Sequence, residues 1–116
     1  MKTSSAKAKG RRACQEVKEA FHEWAPDLKD DDIIVTPSGV PGEDLRLSPA
    51  ARDIYPYVVE CKNVEKLNVH EAYQQAAQHW IKRGMNESEY PLLAFKKNRS
   101  DLFVMLSLKD FLKLTR

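Results

Sequence analysis

Near the middle of the chain a glutamate and a lysine stand two residues apart at the end of an apolar run, Tyr57-Val58-Val59-Glu60-Cys61-Lys62. Successive side chains of a strand alternate faces, so Glu60 and Lys62 share a face, about 6.6 Å apart along the chain. The run is apolar on both faces, as in a strand covered on both sides, yet it ends in a carboxylate and an ammonium. Burying charge is costly without a partner or a metal, so this pair points to a task. A second acid, Asp44, follows the turn Pro41-Gly42-Glu43 and opens another short alternating run. Two hard oxygen ligands meeting at a sheet end suit Mg²⁺, which takes a few carboxylates together with water and phosphate oxygens.

A Glu-x-Lys triplet alone is common, and Lys62 paired with Glu65 or Asp44 as an exposed bridge would contribute under about 1 kcal/mol. The context makes the triplet more specific: an apolar strand before it, an acid in an upstream turn, and a glutamate on a helix before that. Cys14 and Cys61 show no CxxC spacing, the three histidines add no HxxxH, and both thiols read as buried rather than as zinc ligands. His22, His70 and His79 read as surface or packing residues, and Trp24, Tyr73 and Trp80 as core.

The elements that must position these groups follow from periodicity. Ala13, Cys14, Val17, Ala20, Phe21 and Trp24 recur at helical spacing, and Pro26 ends a helix over roughly Arg11 to Ala25. Ile33 to Thr36, Asp44 to Leu47 and Tyr57 to Cys61 read as strands, with Pro37 to Gly42 as a turn-rich loop and Ser48-Pro49 able to open a short helical turn. Asn68 is a plausible N-cap with Glu71 three residues on, for a second long helix ending before Gly84. Leu92 to Phe95 and Leu102 to Leu106 read as strands around the turn Lys97-Asn98-Arg99-Ser100, and Ser107 caps a last helix through Leu114. The expected order is αβββαββα, an α/β fold with a central mixed β-sheet flanked by helices.

Pro41-Gly42-Glu43-Asp44 followed by Val58-Val59-Glu60-Cys61-Lys62 resembles the PD-(D/E)xK nuclease signature. Lys9-Gly10-Arg11-Arg12, opening a helix that bears Glu16, resembles the small Holliday junction resolvases of archaea and phages. Similarity to phage-encoded endonucleases of this size runs over nearly the whole chain, including Ser38-Gly39, Glu60-Cys61-Lys62-Asn63 and the helix with Gln75. The strict motif has contiguous Pro-Asp, whereas here Gly42-Glu43 intervenes, which leaves Glu43 as a rival to Asp44. The resemblance implies a restriction-endonuclease-like core and a metal, Mg²⁺ or Mn²⁺, bound by Asp44, Glu60 and the Cys61 carbonyl, with Lys62 positioning the attacking water. It also implies four-way junction DNA as substrate and a two-fold homodimer, since such enzymes cut two strands symmetrically. A nicking or restriction-like endonuclease, or a non-catalytic DNA-binding accessory protein, would keep the same fold.

For the helix acid, at 100° per residue Glu16 lies roughly 95° from the centre of the apolar stripe and Glu19 roughly 155°. A residue at the stripe's edge reaches a sheet-end site more easily than one opposite it, so Glu16 is preferred.

Charge and length set the frame. The 116 residues suit one domain, here 11–116 after a flexible basic arm over 1–10. Net charge is only +2, but Lys2, Lys7, Lys9, Arg11 and Arg12 all precede the first acid, Glu16, an arrangement suited to a polyanionic partner. Lys7, Lys9, Arg11, Arg12, Ser38, Gln75, Lys97 and Arg99 are the expected DNA contacts, with Lys96 a further candidate. No apolar run approaches a membrane span and no secretory signal opens the chain, so a cytoplasmic protein without a membrane partner is expected.

Overall fold

In a computed structural model, residues 2–116 are described, with side chains from Lys7 onward. Five strands form one sheet in the order β1-β2-β3-β4-β5. They are β1 (Ile33–Val35), β2 (Leu45–Leu47), β3 (Tyr57–Asn63), β4 (Tyr90–Lys96) and β5 (Phe103–Met105). The sheet is mixed: β3 and β4 are parallel, joined by the crossover helix α3 (Val69–Lys82), and every other pairing is antiparallel. Helices α1 (Lys2–Trp24), α2 (Pro49–Ile54) and α4 (Leu108–Leu114) complete the fold.

Local chemistry explains most element ends. Asn68 accepts from Glu71 N at 3.1 Å and starts α3, while Ser107 accepts from Asp110 N and starts α4. Ser48 accepts from Ala51 N and Pro49 occupies the first turn, so the segment read as a loop containing a turn folds as a six-residue helix. The order is therefore αββαβαββα rather than αβββαββα.

The strict alternation of β3 and β4 feeds two cores. Val59, Cys61, Leu92 and Ala94 join Ala13, Cys14 and Val17 of α1, together with Ile33, Leu45 and Leu47. Val58 and Leu93, of opposite parity, face the side on which Ala72 and Ala76 of α3 are buried. The sheet is thus covered by α1 on one face and α3 on the other.

Helix α1 differs from the expected helix of roughly Arg11 to Ala25 at its start and in its buried stripe. It begins at Lys2, so the basic stretch is helical and continuous with the packed part. Its buried stripe runs through Ala13, Cys14 and Val17 to a half-buried Phe21, while Ala20 is exposed and Trp24 is 83% exposed. Trp24 is therefore not core: it is the last helical residue, and buried Ala25 takes its place as the chain leaves the sheet.

A buried ionic cluster fixes the loop between β1 and β2 to the rest of the fold. Glu43 is met by Arg52 and Arg83, each at 3.3 Å, and Arg83 also holds Glu89 at 2.8 Å. Arg52 further donates to the Tyr57 carbonyl. Both carboxylates are buried, so taking away one guanidinium strands charge rather than merely losing a bridge. Arg52→Met should lower stability by about 3 kcal/mol, seen in urea unfolding as a lower midpoint at unchanged slope. An unchanged midpoint would show that the cluster carries no net stability.

Candidate active site

The site begins where the sheet comes apart. β2 pairs with β3 at Leu45 and Val59 and is extended by one bond, from Asp44 N to Val59 O at 3.0 Å. Beyond that point the chain turns away: Gly42 adopts φ +119°, and the Glu43 carbonyl is taken by Thr36 Oγ1 at 2.6 Å. The next amide of β3 on that edge, Cys61 N, donates instead to the side chain of Asp44, at 2.7 Å to Oδ2. A carboxylate thus replaces a strand carbonyl. A strand residue directs its N–H and C=O to the same edge, so the Cys61 carbonyl also faces the opening gap.

The gap widens into a cleft of about 500 Å³. Asp44, Glu60, Cys61, Lys62 and Asn63 form its floor and near wall, Thr36 to Val40 one flank, and Lys7, Gly10, Arg11 and Cys14 of α1 the other. Arg11 Nη1 donates to Ser38 Oγ at 2.6 Å and ties the two flanks together. Lys7 and Arg11 are four residues apart on one helix and so present their charges on the same edge.

Electrostatics inside the cleft are tense. Glu60 is 6% exposed, lies 3.7 Å from Lys62 Nζ through Oε2, and its Oε1 is buried without a hydrogen-bond partner. Desolvation, and then the nearby Asp44 charge, push the Glu60 carboxyl up to about 7, against the pull of Lys62. Burial likewise raises Asp44, opposed by the Cys61 amide, Lys62 and His79. Asp44 and Glu60, the latter with an orphaned oxygen, are the hard oxygen groups in the cleft that could hold a small divalent cation.

The structure brings Asp44, Glu60, Cys61, Lys62, Lys7, Arg11 and Ser38 to this cleft. It separates Glu43, which is consumed by the arginine cluster, so of the two consecutive acids only Asp44 reaches the opening. Glu16 pairs with Lys96 of β4 at 3.2 Å and does not line the cleft. Angular distance from the centre of the apolar stripe carries no sign, so it does not distinguish one edge of α1 from the other. Cys14 and Glu16, two residues apart, lie about 160° apart around the helix axis, and the cleft is on the Cys14 edge. Glu19 is exposed and bonded to Gln15.

Arg12 lines a shallower hollow with Val35 to Pro37 beside the cleft, and Lys9 is half-buried on α1. Lys97 and Arg99 are exposed in the β4–β5 turn, and Lys96, paired with Glu16, ends β4; none of them lines the cleft. Gln75 is exposed on α3, one turn before His79.

His79 was missed. Its Nε2 lies 3.6 Å from Glu60 Oε1, on the face that Glu60 shares with α3. Its position four residues after Gln75 was the available signal, since both then lie on one edge of the helix above the Glu60 strand.

Because the folded chain holds Glu60 protonated to about 7, against 4.5 ordinarily, it retains a proton that the unfolded chain has released. The stability that Glu60 contributes therefore falls as pH rises through that interval and levels off above it. In chelator, the loss from pH 4.5 to 7 should be about 3 kcal/mol, and Glu60→Gln should remove most of it. Urea unfolding of both proteins across that range is the check; equal pH dependence in the two would contradict the assignment.

No protein-family model, curated protein or solved structure matches the chain.

Proposed function

We propose that the protein is a metal-dependent DNA endonuclease whose active site is the cleft at the β2–β3 divergence. The observation that carries this reading is the convergence of a buried carboxylate, Glu60, and a half-buried one, Asp44, with Lys62, Arg11 and Lys7 around one open cleft. Acids that bind a hard cation and bases that bind phosphate oxygens are together what phosphodiester hydrolysis needs. The PD-(D/E)xK resemblance supplies the same residues in the same roles.

Mg²⁺ or Mn²⁺, held by Asp44, Glu60 and the Cys61 carbonyl, would acidify a water and neutralise charge on the phosphate. The chain's own groups do the rest. Lys62, on the face of Glu60 and 3.7 Å from it, holds a fixed positive charge beside the nucleophile and the non-bridging oxygens. Arg11, anchored on Ser38, and Lys7 one turn before it bind flanking phosphates, and Arg12 extends this basic edge. His79 flanks Glu60 from α3, with Nε2 3.6 Å from Glu60 Oε1. Gln75, Lys97 and Arg99 are outlying DNA contacts.

The substrate proposed from the resemblance is a four-way junction, cut by a two-fold homodimer. Incubation of the protein with a synthetic junction, linear duplex and supercoiled plasmid, with Mg²⁺ or EDTA, separates the readings. Cutting of the junction alone supports a resolvase, cutting of all three a general nuclease, and binding without cleavage a non-catalytic accessory protein.

Glu60→Ala and Lys62→Ala should each reduce cleavage at least about 100-fold and leave junction affinity within about three-fold, because the basic edge carries the phosphate contacts. Lys62→Ala with wild-type turnover would remove that residue from the mechanism.

A further inference from the structure

Two buried thiols from different elements meet a carboxylate in the wall of the cleft. Cys14 comes from α1 and Cys61 from β3, and their sulfurs lie with an Asp44 oxygen so that all three atoms are within 4.8 Å of one another. Both cysteines are free and buried at the margin of the core, and both border the cleft. Asn63 adds a second observation: it follows Cys61 by two residues on the same face of β3, lines the same cleft, and its Oδ1 is buried without a hydrogen-bond partner.

We propose that Cys14, Cys61 and Asp44 form a binding site for one thiophilic divalent cation of the Zn²⁺ or Cd²⁺ class, with the Asn63 carbonyl oxygen or water as fourth ligand. Sulfur at about 2.3 Å and oxygen at about 2.1 Å from a tetrahedral ion place the donors about 3.6–3.8 Å apart. The cluster closes to that geometry with side-chain shifts on the order of 1 Å. The donor set selects the ion: two thiolates favour a soft or borderline cation over Mg²⁺ or Ca²⁺. On binding, two metal–sulfur bonds form and the two thiol protons pass to solvent, with no change of oxidation state.

The site shares Asp44 with the hard-oxygen set of Asp44 and Glu60 on the other side of β3. Asp44 Oδ2 already accepts from Cys61 N, so a soft cation on the thiol side competes with the catalytic side for what remains of this carboxylate. Inhibition of cleavage by Zn²⁺ is the consequence. This second statement rests on the nuclease reading, whereas binding itself does not.

The test uses the whole chain, reduced with a phosphine and stripped of metal, titrated with Cd²⁺ in excess Mg²⁺. Thiolate-to-cadmium charge-transfer absorption should saturate at one ion per chain, and cadmium NMR should give a shift typical of mixed sulfur and oxygen ligation. Cys14→Ser and Cys61→Ser should each weaken uptake at least about 100-fold, and Asp44→Asn about ten-fold with the absorption kept.

The wild-type spectra decide the matter even if a cysteine variant does not fold. No thiolate absorption, or saturation only in proportion to exposed oxygen ligands, overturns the site. Equal uptake by a folded Cys14→Ser/Cys61→Ser double variant does the same. Thiolate absorption in a protein that never cuts DNA would uphold the site and defeat the nuclease reading instead.

Discussion

The hydrogen bond from the Cys61 amide to the Asp44 carboxylate is the constraint from which the site is built. β2 pairs only briefly with β3, and past Asp44 its backbone turns toward Thr36, leaving the next inward amide of β3 without a carbonyl. A buried amide cannot go unpaired without cost, and the side chain that ends β2 supplies the missing acceptor. That single substitution places one acid against the strand carrying the other. It also turns the Cys61 carbonyl toward the gap and holds open a cleft that regular pairing would have closed.

The same placement explains the electrostatic tension. Asp44 and Glu60 are brought together in a partly desolvated position where one lysine and one amide do not compensate both, so their carboxyls are held above the ordinary range. One residue away the opposite solution is used. Glu43 is buried against Arg52 and Arg83, within an arginine cluster that also satisfies Glu89. Neighbouring acids in sequence thus serve opposite ends: one locks the loop to the body of the protein, the other is left short of partners and open to a ligand. A polar group that is incompletely satisfied in an otherwise well-paired interior marks a functional site more reliably than its residue type does.

Helix α1 links recognition to this centre. Since it begins at Lys2, the basic stretch is not merely a concentration of charge. Lys7 and Arg11 stand one turn apart over the cleft and Cys14 stands a turn further in, so one helical edge passes from two cations to a thiol in the cleft wall. The opposite edge, with Glu16, is spent on Lys96 at the end of β4. The two edges of one stripe therefore carry different work.

The α/β class, the five strands, the caps at Asn68 and Ser107, and the pairing of Glu60 with Lys62 at the end of an apolar strand were legible in the sequence. Each follows from local periodicity, capping chemistry, or charges placed at the end of an apolar strand. What sequence could not decide was everything that depends on how separate elements are rotated against one another. The choice between Glu43 and Asp44 needed the positions of two arginines, 9 and 40 residues away from Glu43. The edge of α1 that meets the cleft, the approach of His79 to Glu60, and the meeting of Cys14 with Cys61 are likewise tertiary facts. Periodicity reports which face of an element is buried, but it carries no sign that tells one edge of that face from the other, and only packing against the sheet supplies it.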